Sequence, residues 1–294
     1  MHIPVLAERF LDAVKNMPKQ PTSYLDCTFG RGGHFKLLLE NINAEIKADL
    51  IDRDKDALDF GEKVYGNQQN INFYHLNFMK LASEAPEDLI AKRFDLILAD
   101  LGVSSPQLDA AERGFSFYHD GPLDMRMDVS KGISAAEIVN EWSKEDLESL
   151  FKELGEVRNP TKVVDVILEQ RAVNAFTSTL ELAELVVKTH GWRKKGQHPA
   201  TKYFLALRIA VNEEISLLKE AIIDLLGRLN IGGHLIVITF HSMEDRIVKW
   251  TLKENTHLGE IITKKAIQPK WQEKQENPRA RSAIMRIFKR GENE

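Results

Sequence analysis

Tyr24-Leu25-Asp26-Cys27-Thr28-Phe29-Gly30-Arg31-Gly32-Gly33-His34 decides the fold. It reads as a short apolar strand ending in an acid, then a glycine turn, then the start of a helix. That order builds the nucleotide-type pocket of an α/β domain. Glycines let the backbone approach a ligand, and the helix start offers free N–H groups.

Outward from this stretch, the first hundred residues alternate strand and helix. An amphipathic helix over 5–16 is stopped by Pro18 and Pro21, and a strand over 23–27 follows. The periodicity then predicts a helix from Gly33 to Glu40, a strand ending at Asp52 and a helix from Asp54 to Val64. Ile71–His75 alternates as a third strand. Phe94–Asp100 is a near-continuous apolar run, expected of a strand covered on both faces. Alternating strands and helices imply a parallel, doubly wound sheet.

From about Ser104 to Gly196 the strand signal disappears. A long loop rich in Gly, Ser and Pro precedes helical patterns at 134–154, 160–172 and 177–190. The sheet resumes after a long helical pattern from Thr201 to Leu229 and a turn at Ile231-Gly232-Gly233. A strand over His234–Phe240, a helix over Glu244–Lys253 and a strand over Ala283–Phe288 complete it. The expected organisation is a discontinuous α/β domain, 1–104 with 201–294, carrying an inserted helical domain over 105–200.

Candidate site residues fall on one edge of that sheet. A dinucleotide fingerprint G-x-G-x-x-G would place its third glycine where Phe35 stands. A bulky residue there argues against NAD or FAD and suits a smaller ligand without pyrophosphate, such as S-adenosylmethionine. Asp52 ends the second strand 20 residues after Gly32, the position of a ribose-binding acid. Asp100, at the end of the fourth strand, precedes Leu101-Gly102-Val103-Ser104-Ser105-Pro106-Gln107. It suits either the amino-acid end of a cofactor or a substrate amino group. His241 follows the strong late strand, and Ser242 with Asp245 resembles a capping box. Each has a structural alternative: an ordinary strand–helix turn, a solvated acid in Asp52-Arg53-Asp54-Lys55-Asp56, a turn-forming Asp, a hydrogen-bonded turn His.

Composition narrows the class. The chain has 294 residues, 43% hydrophobic and 29% charged, enough for one large domain or two ordinary ones. No apolar run is long enough to span a membrane, and Met1–Arg9 lacks a secretory signal pattern. A single cysteine excludes an internal disulfide and fits a reducing cytoplasm. The histidines show no HExxH or H-x-x-x-H pair, so no metal site is expected. With a net charge of −4, any nucleic-acid contact rests on local patches. One lies over 264–290, where nine Lys/Arg face two Glu and Trp271 is included. Another is Trp192-Arg193-Lys194-Lys195. Basic residues with aromatics track phosphates and stack bases.

Six blocks carry a family resemblance. They are Asp26–His34, Asp100–Asp109, Glu112–Phe117, Asp120–Asp128, Phe240-His241-Ser242 and Asn277–Ser282. Together they strongly resemble the bacterial small-subunit rRNA cytosine-N4 methyltransferase family, RsmH, formerly MraW. The resemblance spans nearly the whole chain. It implies a Rossmann-like S-adenosylmethionine-dependent methyltransferase sheet with an inserted helical substrate-recognition domain. The implied reaction is methylation of the exocyclic N4 of a decoding-centre cytosine in 16S rRNA, within the small ribosomal subunit. Implied cofactor contacts are Gly32, Gly33, His34, Asp52, Phe78, Asp100 and Gln107. Asp100 and His241 are the catalytic candidates. Trp192, Arg193, Lys194, Lys195, Arg279 and Arg281 are the RNA-binding candidates. A homodimer is allowed, and a membrane partner is not expected. Two other readings are a DNA methyltransferase and a non-enzymatic RNA-binding assembly factor on the same fold. The absent Pro-Pro-aromatic motif counts against the first, and the intact glycine turn with Asp52 and Asp100 against the second.

Overall fold

The computed structural model describes residues 4–190 and 198–292. The chain forms two compact units, Met1–Gly102 with Ile215–Glu294, and Val103–Glu214.

The first unit opens with α1 (Ala7–Lys15), β1 (Ser23–Asp26), α2 (Gly33–Asn41), β2 (Lys47–Asp52), α3 (Lys55–Tyr65), β3 (Ile71–His75) and β4 (Phe94–Asp100). Asp54 starts α3 by accepting a hydrogen bond from the Asp56 amide, which satisfies one of the donors a helix start leaves open.

The second unit is helical: α4 (Ser105–Asp109), α5 (Ala135–Glu141), α6 (Lys144–Glu153), α7 (Thr161–Arg171), α8 (Thr179–His190) and α9 (Thr201–Asn212). Its core gathers Ile138, Leu147, Phe151, Val164, Ile167, Leu182, Val186, Tyr203 and Leu207. The pattern over 134–154 is two helices, because Ser143 caps a fresh start at Lys144. The stretch expected as a loop after Ser104 contains α4, closed by a Ser104–Gln107 capping box.

The return to the first unit comes later than the sequence suggested. The expected boundary at Thr201 gives way because α9 buries Tyr203, Phe204, Ala206 and Leu207 in the helical core. The Thr201–Leu229 pattern is also interrupted. Glu213 takes a left-handed conformation (φ 51°) and ends α9. Arg208 then grips Glu214 with two bonds of 2.8 Å, and the Asn212 amide donates to the Met125 carbonyl. No Gly or Pro marks this break, so periodicity alone ran through it.

The chain continues with α10 (Leu218–Gly227), β5 (Leu229–Thr239), α11 (Ser242–Glu254), β6 (Gly259–Ile261), α12 (Trp271–Glu276) and β7 (Ile284–Arg290). The expected turn at 231–233 is an irregularity within β5, where its register against β4 shifts. β6 spans only three residues and has no periodic signal.

Strand order is β3-β2-β1-β4-β5-β7-β6. β7 runs antiparallel to β5 and β6, while the pairings among β1 to β5 are parallel. Side chains alternate between two cores as the pleat requires. Tyr24, Leu96, Leu98, Ile236 and Ile238 enter one, while Leu25, Ile97, Ala99, Leu235 and Val237 enter the other. Each buried aliphatic contributes about 1.5–3 kcal/mol, so a one-residue register slip is disfavoured along the sheet. Cys27 lies in the second core, and burial pushes its thiol well above the ordinary range.

Candidate cofactor site at the strand ends

β1 and β4 are neighbours and the sheet order reverses between them, which makes their carboxyl ends the expected ligand crevice. Four predicted residues meet there on the first unit: Gly32, Gly33, His34 and Asp100, with Asp52 at the end of adjacent β2.

Gly32 precedes α2 with φ +66°, a conformation that glycine adopts without the penalty an L side chain meets. A Cβ there would sit 2.7 Å from the Phe29 ring. With no side chain to cap α2, the first helix amides remain available for an anionic ligand group. Phe35 is fully buried and stacks on Tyr24, ring centroids 5.9 Å apart. It fills the helix–strand interface that a third glycine would close.

The Asp52 carboxylate accepts from the Gly30 amide at 2.7 Å and the Asp54 amide at 2.8 Å, one on each oxygen. Each oxygen retains a lone pair for a ligand hydroxyl. Burial raises its pKa to about 6.

His34 holds a single tautomer. Its Nε2 lies 2.9 Å from the Val5 carbonyl, which only accepts, so Nε2 carries the proton. Burial lowers the His34 pKa to about 4, leaving Nδ1 with a lone pair at neutral pH. That atom sits 3.6 Å from Asp100 Oδ2. Asp100 receives no charge from His34, and its Oδ1 is buried without a hydrogen-bond partner among the described residues. Burial pushes the Asp100 pKa well above the usual carboxylate range, and Asp26 and Glu244 push it further.

Asp26 and Glu244 are residues the sequence reading did not single out as site residues. Asp26 accepts from the Tyr24 hydroxyl at 2.8 Å and the Thr28 amide at 3.2 Å. Burial raises its pKa to about 7. Its position at the end of β1, directly before the glycine turn, was the available signal. Glu244 is 1% exposed and accepts from the Phe240 and His241 amides at 2.9 and 3.3 Å. The structure therefore moves the expected Ser242–Asp245 cap by one residue. His241 is the N-cap of α11 and Glu244 its partner, because Asp245 is engaged by Arg286 at 2.7 and 2.8 Å. His241 Nε2 lies 3.0 Å from Glu244 Oε1, out of line for a hydrogen bond. A burial-strained row of acids with one unsatisfied oxygen is a site for a cationic ligand.

Phe78 begins a 3₁₀ turn after β3 and is packed, 8% exposed, into the second core. Gln107 belongs to the helical unit, where its Oε1 accepts from the Ser104 amide at 2.9 Å. Trp192, Arg193, Lys194 and Lys195 lie outside the described residues. Arg279 and Arg281 occupy a 3₁₀ turn after α12, and Arg281 Nε donates to the Lys274 carbonyl at 3.1 Å. Trp271 is 77% exposed beside them in the chain. Arg286 leaves the expected basic run, since it is buried against Asp245.

The sheet order and the ligand crevice at its switch point define a Rossmann-like cofactor-binding domain. A family model described as the MraW methylase family matches residues 1–291, and the chain belongs to that family. It is 45% identical over 293 residues to a ribosomal RNA small subunit methyltransferase H of Bdellovibrio bacteriovorus, covering 98% of this chain and 88% of that one. The protein of the same name from Trichodesmium erythraeum is 43% identical over 289 residues, covering 97% and 98%. Among solved structures, the N-methyltransferase NodS from Bradyrhizobium japonicum WM9 superposes with a TM-score of 0.45 at 10% identity, covering 97% of this chain and 94% of that chain.

Proposed function

We propose that the protein methylates the exocyclic N4 of a decoding-centre cytosine in 16S rRNA of the small ribosomal subunit, using S-adenosylmethionine. The observation that carries the cofactor part is the buried Asp100 Oδ1, unpartnered at the sheet edge beside the uncapped start of α2. The resemblance in the six sequence blocks carries the cytosine and its place in the ribosome.

When bound, S-adenosylmethionine supplies an electrophilic methyl group on a sulfonium centre. The Gly33 and His34 amides would hold its carboxylate, Asp52 would accept from the ribose hydroxyls, and Phe78 would flank the adenine. Asp100 pairs with positive charge and accepts a hydrogen bond from the attacking amine. An exocyclic cytosine amine is a weak nucleophile, because its lone pair is delocalised into the ring. Alignment by the Asp100 loop therefore supplies much of the barrier reduction. As the N–C bond forms and the S–C bond breaks, the amine must lose a proton. The raised proton affinity of Asp100 suits it to accept that proton. His241 orients Glu244 through the α11 cap. Cys27 is buried in the core, which is unsuited to a carbon-5 mechanism needing a thiolate nucleophile. The helical unit recognises the RNA, and Arg279 and Arg281 of the basic turn, with Trp271 at the start of α12, hold its backbone.

The test is labelled methyl transfer onto purified small subunits, followed by nucleoside analysis. The expected product is N4-methylated cytidine. A different methylated nucleoside overturns the assignment, and no transfer with no S-adenosylmethionine binding overturns the enzyme reading.

A further inference from the structure

The helical unit contains a cavity of about 670 Å³ between the α6–α7 loop, the end of α8 and the start of α9. That volume lies within the range of ligand pockets. Three cationic side chains, Arg158, Lys162 and Lys202, line it against one carboxylate, Glu156, beside Asn159 and Tyr203.

Three observations say what this lining is for. First, Arg158 and Lys162 are exposed, and among the described residues no carboxylate pairs with either. Asp165, one turn beyond Lys162, is taken by Lys144 at 2.5 Å. Second, α7 starts at this cavity without a side-chain cap, its N-cap being Pro160. Only the Val163 and Val164 amides reach back to the Pro160 carbonyl. Among the described residues nothing accepts from the Thr161 and Lys162 amides, which leaves them for an external acceptor. Third, the wall is held in place by its own backbone. Gly155 sits so close to α9 that a Cβ would lie 2.8 Å from the Lys202 carbonyl. Glu156 is left-handed at φ 49°, and its carbonyl accepts from Lys202 Nζ at 2.8 Å. The loop thus presents Arg158 beside two free amides and a lysine on a fixed frame. Unpaired cations, a helix start and buried Tyr203 behind them are the chemistry of a phosphate group.

We infer that this cavity binds a phosphodiester group of the RNA substrate, as a second anchoring site on the helical unit. The inference rests on the rRNA reading above. The occupant is a backbone phosphate of a single strand, held by Arg158, Lys162 and the α7 amides.

The test uses the full chain with Arg158→Gln and Lys162→Gln together. Neither side chain supports the fold, so thermal melting and S-adenosylmethionine affinity should match wild type. Binding of a fluorescein-labelled single-stranded fragment of small-subunit rRNA is measured across a salt series. Losing the neutralisation of that one phosphate should flatten the slope of log K against log[salt] by about 0.7 on a single strand. In methyl transfer onto small subunits, KM should rise while kcat stays within about twofold. An unchanged slope in the variant, with wild-type binding intact, overturns the inference. So does tight binding of inorganic pyrophosphate that the variant loses while its RNA slope is unchanged, because that assigns a free polyphosphate instead. If wild type neither binds nor methylates the RNA, the underlying functional reading fails instead.

Discussion

Asp100→Asn removes one charge and leaves the shape of the side chain. Its buried Oδ1 has no partner among the described residues, so on the proposed reading the ammonium or sulfonium of the methyl donor would meet that oxygen without displacing a protein bond. A hydrogen bond to a charged group is worth about 1.5–3 kcal/mol, so the variant should bind S-adenosylmethionine about 10- to 150-fold more weakly. The pH dependence gives a sharper signature. Burial, then Asp26 and Glu244, raise the proton affinity of Asp100. A cation pairs with the ionised carboxylate, so binding expels a proton wherever free Asp100 still holds one. Affinity should therefore rise with pH, by up to about tenfold per unit, and level off above the pKa of the free protein. Asp26 at about 7 and Asp52 at about 6 contribute in the same direction, so Asn at 100 should reduce the dependence without abolishing it. Calorimetry in two buffers of different ionisation enthalpy reads both affinity and proton release. Wild-type affinity and proton release in Asp100→Asn would refute the electrostatic account.

Four other outcomes follow from the same geometry. Burial raises the Asp26 pKa from 3.8 to about 7, so between those values the folded chain holds a proton that the unfolded chain has lost. Stability is then greatest at the acid end and falls as pH rises to about 7. Asp26→Asn should melt several degrees above wild type at about pH 8 and converge with it at about pH 4 or below, and equal melting at both pH values would contradict this. Gly32→Ala combines a left-handed backbone with a Cβ 2.7 Å from Phe29; urea unfolding should show a loss of about 1–2 kcal/mol, with weaker cofactor binding by calorimetry. Glu214→Ala leaves the largely buried Arg208 without its two 2.8 Å bonds. A cost of about 3 kcal/mol is expected, with faster amide exchange in the helical unit. Reversing the charges of Lys194, Lys195, Arg279 and Arg281 should weaken rRNA binding at every salt concentration and spare cofactor binding, as gel shift and calorimetry would show.

The β1-to-β4 half of the sheet was legible because each strand there is a short apolar run bounded by polar turns. Asp52 and Asp100 were legible for the same reason: an acid ending an apolar strand stands out. Asp26 ends a strand too, but it was absorbed into the glycine-turn motif, and its burial comes from packing against Tyr24. Glu244 was hidden because a cap box shifted by one residue looks alike in sequence. The break at Glu213 had no glycine or proline to announce it, since Asn212 and Glu214 enforce it through tertiary bonds. Gln107 was reached only through resemblance, because a capping glutamine carries no cofactor signal.

Cys27 is the only cysteine in the chain, and it is sealed in the core with a thiol that burial makes hard to ionise. Thiol-reactive reagents need a thiolate and access, so the native protein is already silent toward them. Cysteines introduced at exposed Val64 and Tyr118, one on each unit, would take a pair of spin labels or fluorophores against no background. The distance between methyl-donor domain and helical unit can then be followed through RNA binding without first engineering a cysteine-free parent.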